Sequence, residues 1–565
     1  MIRGAWHELG DWLGARAAGP SWLRNGDHQV SSGTGFDFQG VATDTRRLLA
    51  PPSTSSRPLR ESANVVIPDT ADGARPVFVA LRGERFDAHD HVDQRLIGVV
   101  AGAIVERELP IDLPQWVVPD SLVALQQLAA LWRTRMSARV IGITGSNGKT
   151  STKEMLRAVL ELVGPTLATK GNLNNHIGVP LTLLRLEPKH DFAVIEMGAN
   201  HVGEIATLAA TARPDLGVVT NAGHAHLEGF GSLEGVGQGK GEMYDALSAG
   251  GIAVINDADR FAPAWRHRAA AKGAAIVGAR LLADKKEAMD AVAAGDGRAV
   301  SGPSGLKCAD GDMSAGEPIW VGQFVSPAGL RVMHAPADTG EVVSAHIDLA
   351  VPGRHVAANA LMVVAIASAL GVPLATIERG LQRWRPIAGR YVQRRHVSGA
   401  VVIDDTYNAN PDSVIAGIDA LLESSPPIRD RDFVKPVGAD GDRAEPHSGR
   451  RVLVLGTMAE LGDDAAVAHA EMGRLARDRG LDSLWAVGDW AAHAARAFGD
   501  GALDFGSPDA AGEALDQFLK AGDSVLIKGS RSAGLEAVLQ RLRLDSKQFD
   551  TALGQTPAAE GSVRS

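Results

Sequence analysis

The string Gly145-Ser146-Asn147-Gly148-Lys149-Thr150-Ser151 has the residue types and the order that bind a phosphate chain. The apolar residues 140–144 before it predict a strand, and 152–163 after it predict a helix. In that setting a glycine turn aims backbone N–H groups and a helix N-terminus at anionic oxygen. Lys149 would reach the terminal phosphates, and Thr150 would hold a magnesium ion. Ile143 stands where the strict P-loop pattern has glycine, so the string is a variant of that pattern. The competing reading is a glycine-rich turn that happens to carry a lysine.

Further polar residues fall just after predicted strands. Glu196 ends the run 192–197, and Asn221 to His226 follow the run 216–220, offering His224 and His226. Taken singly these are ordinary, since a strand-end Glu is usually solvated and a loop His is usually a surface or packed residue. Ligands of parallel sheets nevertheless bind at the carboxyl ends of strands, where all of them converge with the phosphate loop. Lys240 lies in a glycine-rich stretch, Gly237-Gln238-Gly239-Lys240-Gly241-Glu242, and spacing alone reads it as a solvated lysine at a helix start.

The elements that must position these residues form an α/β chain of about three domains, as 565 residues exceed what one core usually organises. Residues 1–120 read as an α+β N-terminal domain, with apolar runs at 77–81 and 98–105 broken by a Pro/Ser-rich loop at 51–58. Leu122, Leu125, Leu128, Ala129 and Trp132 recur at helical spacing after Ser121, a plausible N-cap, so 121–138 reads as a linker helix. Residues 139–352 alternate strands (140–144, 192–197, 216–220, 252–255) with helices and predict a central P-loop-type domain with a mainly parallel sheet. Its stretch 262–350 is expected to be a peripheral elaboration. Residues 353–545 repeat the alternation, with strands at 401–404, 452–455, 484–487 and 524–527, as a C-terminal Rossmann-like α/β domain. The segments 424–450 and 546–565 lack periodicity and are expected to be mobile, the second as a disordered tail.

Composition narrows the function classes. A net charge of -10, with 57 basic and 67 acidic residues and no like-charge block, argues against nucleic acid and anionic membrane partners. The single cysteine, Cys308, excludes an intrachain disulfide and a cysteine-based metal site, so a cytoplasmic location is expected. Residues 1–20 carry charges throughout and do not read as a signal peptide. The apolar stretch 357–372 is shorter than a span needs and reads as a buried helix. Small-molecule substrates and a monomer are the expectation.

Taken together, the phosphate loop, Ile195-Glu196-Met197-Gly198 and Asn221-Ala222-Gly223-His224-Ala225-His226-Leu227-Glu228-Gly229-Phe230-Gly231-Ser232 resemble the Mur ligases of bacterial cell-wall synthesis, in particular the dipeptide-adding branch. The likeness continues in Lys240-Gly241-Glu242, Gly353-Arg354-His355 with Asn359, Gly389-Arg390, Asp404-Asp405-Thr406-Tyr407-Asn408-Ala409-Asn410-Pro411 and Leu526-Ile527-Lys528-Gly529-Ser530-Arg531. The resemblance implies ATP at Gly145, Ser146, Asn147, Gly148, Lys149, Thr150 and Ser151, one Mg2+ at Thr150 and Glu196, and a second at His226 and a carbamylated Lys240. It implies Asn359 near adenine, Arg390 near the γ-phosphate and Asp405 near the ribose. Substrate contacts would come from Thr43, Asp44, Thr45 and Arg46, from 83–89, and from the loop 170–175 with Asn174 and Asn175. The implied substrates are UDP-N-acetylmuramoyl-tripeptide and D-alanyl-D-alanine, joined through an acyl phosphate. Val356, Thr457 and Ala88 depart from the family pattern, where Asn, Asp and Gly are usual. The competing functions are a sister Mur or folylpolyglutamate-type ligase and a nucleotide-switched binding protein.

Overall fold

Strands that are apolar without alternation must be covered on both faces, and the three sheets of this protein follow that rule. The structure is a computed structural model that describes residues 2–18, 37–44, 48, 65–66, 75–83, 86–282, 319–325, 327–334, 343–424 and 449–545. Thr45, Arg46, Cys308, the loop 51–58, the stretch 546–565 and most of 424–450 lie outside the described residues.

The first sheet runs Arg3–Ala5, Asp37–Ala42, Arg75–Val79, Gly102–Val105, Gln115–Val117, Arg16–Ala18, with Val65–Val66 paired to Asp37–Ala42. Its alternation is strict: Val77, Val79 and Ile104 enter one core, and Phe78, Ala103 and Val105 the other. The first of those cores is continuous with the central sheet through the helix Ser121–Thr134, whose Leu125, Leu128, Ala129 and Trp132 are buried. Asp120, not Ser121, is its N-cap: the Asp120 carboxylate accepts from Val123 N at 2.8 Å, while Ser121 Oγ donates to Glu106 at 2.9 Å. Both residue types cap well, and the neighbouring Glu106 claims the serine.

The central sheet has nine strands in the order Val343–Asp348, Gly329–His334, Ile319–Val325, Ala275–Leu282, Ile252–Asn256, Leu216–Val219, Arg139–Thr144, Phe192–Glu196, Thr166–Ala168. All pairs are parallel except the two that add Gly329–His334 and Val343–Asp348 at one edge. The strands Ala275–Leu282, Ile319–Val325, Gly329–His334 and Val343–Asp348 thus extend this sheet. The helix Arg354–Ala369 is buried along most of its length, as its unbroken apolar text predicts. It packs on the central strands Ala275–Leu282 and Ile319–Val325 and on the helix Lys149–Leu160, because an all-apolar helix is stable only between layers. Among the described residues no helix is long and apolar enough to cross a membrane.

The third sheet runs Val392–Arg395, Val401–Asp405, Ser524–Lys528, Arg451–Gly456, Ser483–Val487, Ala502–Phe505, parallel except for the first pair. Register aligns Asp405 with Lys528 at the carboxyl ends of neighbouring strands. In the central sheet the same end carries Thr144, Val219 and Glu196, with Glu196 opposite Ile143. The carboxyl edges of these two sheets supply the site.

Candidate active site

Gly145 and Gly148 occupy φ +142° and +80°, a region open to glycine at little cost, so the turn between Arg139–Thr144 and the helix Lys149–Leu160 depends on them. Space requires them as well. A Cβ on Gly145 would run into Thr220 Oγ1, and one on Gly148 into the side chain of Asn359. The loop is held from the next strand: Asn221 Oδ1 accepts from Asn147 N at 2.9 Å, Thr220 Oγ1 donates to Asn147 O at 2.6 Å, and Ser146 Oγ accepts from Gly223 N at 3.0 Å. Lys149 Nζ folds back on the carbonyls of Gly145 and Ser146 at 2.6 and 3.2 Å. Burial pulls its ammonium down to about 8, with Glu196 opposing the shift.

Thr150 Oγ1 donates to Glu196 Oε1 at 3.2 Å, and Asn174 Nδ2 donates to the same oxygen at 2.9 Å. The other carboxylate oxygen, Glu196 Oε2, is buried without a hydrogen-bond partner, and its nearest cation is Lys153 Nζ at 3.6 Å. A buried carboxylate oxygen left free beside a threonine hydroxyl suits a hard cation that keeps its other positions for substrate oxygen and water. Among the described residues no three His, Cys, Asp or Glu side chains converge into a protein-only cage. Asn175 Oδ1 accepts from Ile177 N and Gly178 N, fixing the turn that leads into the helix Gly178–Leu183.

Lys240 is not the solvated lysine that spacing alone suggests. It sits inside the helix Leu233–Asp245 with no exposed surface, its Nζ donating to Ala199 O at 3.0 Å and lying 4.9 Å from the centre of the Phe230 ring. Flanking glycines allow this: a Cβ on Gly239 would strike Phe230, and one on Gly241 would strike Trp265. Burial, with Lys149 adding to it, drives the amine well below its usual range, so the unprotonated form that carbamylation requires is favoured. His226 has φ +57°, and its Nδ1 lies against the carboxylate of Glu460.

The third sheet contributes the opposite wall. Arg390 lies 4.0 Å over the Tyr407 ring and donates from Nη2 to Thr150 Oγ1 at 3.4 Å, placing it beside the phosphate loop. Asn359 comes instead from the helix Arg354–Ala369, which packs on the central sheet, and its side chain fills the space a Cβ on Gly148 would take. Asp405 is engaged by Lys528 Nζ at 2.6 Å, and Lys528 also donates to Asn408 O. His355 packs edge-on to Tyr391, and burial lowers its imidazole to about 4. Val356 lies in the central core, and Thr457 uses its carbonyl to receive Ser530 N and Oγ, so neither departure leaves a hole at the site.

Sequence reasoning assigned no role to Lys153 or Glu460. Lys153 is fully buried and ties Thr169 O, at 2.7 Å, to Glu154 and Glu196. Its one sequence signal was a second lysine one turn after Lys149. Of the expected first-sheet contacts, Thr43 and Asp44 are described just past the strand Asp37–Ala42, remote in sequence from the loop.

Residues 143–367 match the Mur ligase middle domain, and residues 439–531 match the Mur ligase glutamate ligase domain. The UDP-N-acetylmuramoyl-tripeptide--D-alanyl-D-alanine ligase of Escherichia coli is 36% identical over 83% of this chain and 90% of its own. That of Mycobacterium tuberculosis is 32% identical over 86% of this chain and 93% of its own. A crystal structure of MurF from Acinetobacter baumannii superposes with a TM-score of 0.71 at 27% identity, covering 96% and 98% of the two chains. MurF from Thermotoga maritima, in complex with ADP, superposes with a TM-score of 0.62 at 26% identity, covering 83% and 94%. The chain therefore belongs to the Mur ligase family, among the UDP-N-acetylmuramoyl-tripeptide–D-alanyl-D-alanine ligases.

Proposed function

We propose that this chain is an ATP-dependent amide ligase that adds D-alanyl-D-alanine to UDP-N-acetylmuramoyl-tripeptide in peptidoglycan precursor synthesis, acting in the cytoplasm as a monomer. The observation that carries the reading is the meeting of Lys149, Thr150, Glu196 and Arg390 at the phosphate loop, in a chain whose relatives bear that activity in their names. Residues 1–120 would bind the nucleotide sugar, with Thr43, Asp44, Thr45 and Arg46. Residues 139–352 would bind ATP together with Asn359, whose helix Arg354–Ala369 packs on the central sheet, and the C-terminal part beyond that helix would close over it with Arg390 and Asp405. Asn174 would contact substrate from the loop that also touches Glu196.

A carboxylate is inert toward amines at neutral pH because its only leaving group would be oxide. Transfer of the γ-phosphoryl to the peptide carboxylate makes an acyl phosphate and releases ADP. The amine of the dipeptide then attacks the acyl carbon, phosphate departs with the bonding pair, and the nitrogen gives up its proton. Lys149 and Arg390 would neutralise charge on the phosphoryl as it moves between oxygens, and the loop N–H groups would orient it. Mg2+, when bound, supplies further neutralisation of the same charge. Thr150 and Glu196 would hold one ion, which the free Oε2 of Glu196 supports. His226 and a carbamylated Lys240 would hold the second, which the buried, readily deprotonated amine supports.

Mass spectrometry of products from ATP, Mg2+, D-alanyl-D-alanine and UDP-muramoyl tripeptides ending in lysine or diaminopimelate tests the reading. The expected result is a UDP-muramoyl pentapeptide with one ADP and one phosphate per product. Phosphate release that ignores D-alanyl-D-alanine would reject ligation in favour of a nucleotide-driven switch.

A further inference from the structure

The turn after a strand of the third sheet sends one acidic side chain onto a proposed metal-site residue of the central domain, and the ligation steps described above give that side chain no role. Glu460 lies in the turn after the strand Arg451–Gly456, and its Oε2 lies against Nδ1 of His226, a buried nitrogen that makes no hydrogen bond of regular geometry among the described residues. Both residues have left-handed backbones, at φ +63° and +57°. A non-glycine residue there is uncommon and costs on the order of 1–3 kcal/mol, so two meeting side chain to side chain point to a constraint imposed by use.

The turn bearing Glu460 is rigid. Met458 N donates to Nε2 of the fully buried His469 at 2.9 Å, and His469 Nδ1 pairs with Ala465 O at 2.6 Å. Thr457 O receives Ser530 N at 2.8 Å and Ser530 Oγ at 2.6 Å, and Met458 and Leu461 are buried on either side of Glu460's neighbourhood. The glutamate itself keeps half its side chain exposed and fills no core space. On the receiving side, the His226 carbonyl takes Gly229 N and Phe230 N at 3.1 Å, so the histidine backbone is fixed by the short helix Leu227–Phe230. Lys149 and Lys240 are the cations near the Glu460 carboxylate.

We propose that Glu460 is a positioning residue for ligation: its carboxylate holds the His226 ring with the proton on Nδ1 and leaves the Nε2 lone pair free for the reaction centre. A carboxylate on one imidazole nitrogen fixes both the tautomer and the ring orientation, and so decides which nitrogen can act as ligand or base. Because Glu460 belongs to the C-terminal sheet and His226 to the central one, the productive tautomer is set only while the two are docked. The proposal rests on the ligase reading for its effect on rate, but not for its effect on the ring.

Long-range proton–nitrogen spectra of 15N-histidine-labelled protein read the tautomer directly, with His226→Asn assigning the resonance. Wild type is expected in the Nδ1–H form, and Glu460→Ala and Glu460→Gln in the Nε2–H form or a mixture. Ligation kcat should fall about 10- to 100-fold in Glu460→Ala, the range for losing an outer partner of a functional histidine. KM for ATP should change less than about threefold, and Glu460→Asp should recover part of kcat. An unchanged His226 tautomer in both variants, or kcat within about twofold of wild type in Glu460→Ala, overturns the proposal. If wild type itself shows no D-alanyl-D-alanine-dependent phosphate release, the ligase reading fails, while the tautomer measurement still decides the role of Glu460.

Discussion

Asn147 and Asn410, 263 residues apart, exchange side-chain amide hydrogen bonds: Asn410 Nδ2 donates to Asn147 Oδ1 at 2.9 Å, and Asn147 Nδ2 donates to Asn410 Oδ1 at 3.3 Å. One residue is in the phosphate loop, and the other caps the helix Pro411–Glu423 of the C-terminal part by accepting from Ser413 N. Asp412 adds a second tie, its Oδ2 accepting from His224 N at 2.6 Å. Asn410 and Asp412, at one helix N-terminus, therefore grip the two loops that would surround the ATP phosphates.

Cap and grip can be separated by substitution. Asn410→Ser keeps an oxygen that caps the helix but cannot reach Asn147, so thermal stability should stay near wild type while KM for ATP rises several-fold. Asn410→Ala loses both and should also lose about 1 kcal/mol of stability. Steady-state kinetics with melting curves check the pair; equal KM in wild type and Asn410→Ser would show that the contact does not bear on nucleotide binding.

Lys149→Ala should abolish ligation and leave the fold intact. The hydrogen bonds of Lys149 Nζ among the described residues go to loop carbonyls, and its charge is used as the phosphoryl group moves. More than about a tenth of the wild-type rate, equivalent to less than about 1.4 kcal/mol of lost transition-state stabilisation, would contradict the role given to it. Circular dichroism controls for folding.

His355 predicts a pH dependence of stability. Its imidazole is held at about 4 by burial, against 6.5 as the ordinary value. Between those pH values the unfolded chain binds a proton that the folded one refuses, so the folded state loses stability as pH falls from about 6.5 toward 4. The slope from this one group is at most roughly 1.4 kcal/mol per pH unit. In His355→Leu the fall of melting temperature with acid should be shallower over that window; identical slopes in the two proteins would place the titration elsewhere.

What the sequence disclosed depended on whether a feature is local. The strands around Val140, Val194, Val218 and Val254 were legible because parallel strands buried on both faces are written as unbroken apolar runs. The phosphate loop was legible because glycine at positive φ leaves its mark directly in the string. The strands Ile319–Val325, Gly329–His334 and Val343–Asp348 were not resolved from their surroundings, since two of them form an antiparallel edge with exposed alternate residues and glycines within. Burial of Lys240 was illegible for a different reason: Phe230, which lies against its ammonium, and Trp265, which packs against Gly241, come from other helices, and no spacing in 237–242 encodes them. The same holds for Glu460, whose partner lies in a loop beyond a strand of another sheet.

The buried lysine also yields the sharpest chemical prediction. An ammonium at Lys240 would repel a divalent ion, yet the side chain has no exposed surface, its nitrogen is held by one carbonyl, and burial favours the neutral amine. A neutral amine can add CO2, turning a would-be cation into an anionic oxygen ligand of the kind Mg2+ prefers. Lys240→Ala should then lose nearly all ligation, and formate or acetate should restore part of it by offering carboxylate oxygen at the vacated position. Carbon-13 NMR of wild type equilibrated with labelled bicarbonate should show a carbamate resonance that is missing from Lys240→Ala. Full activity in the unrescued variant would end the argument for the lysine, and a wild-type spectrum without the carbamate signal would end it for the modification.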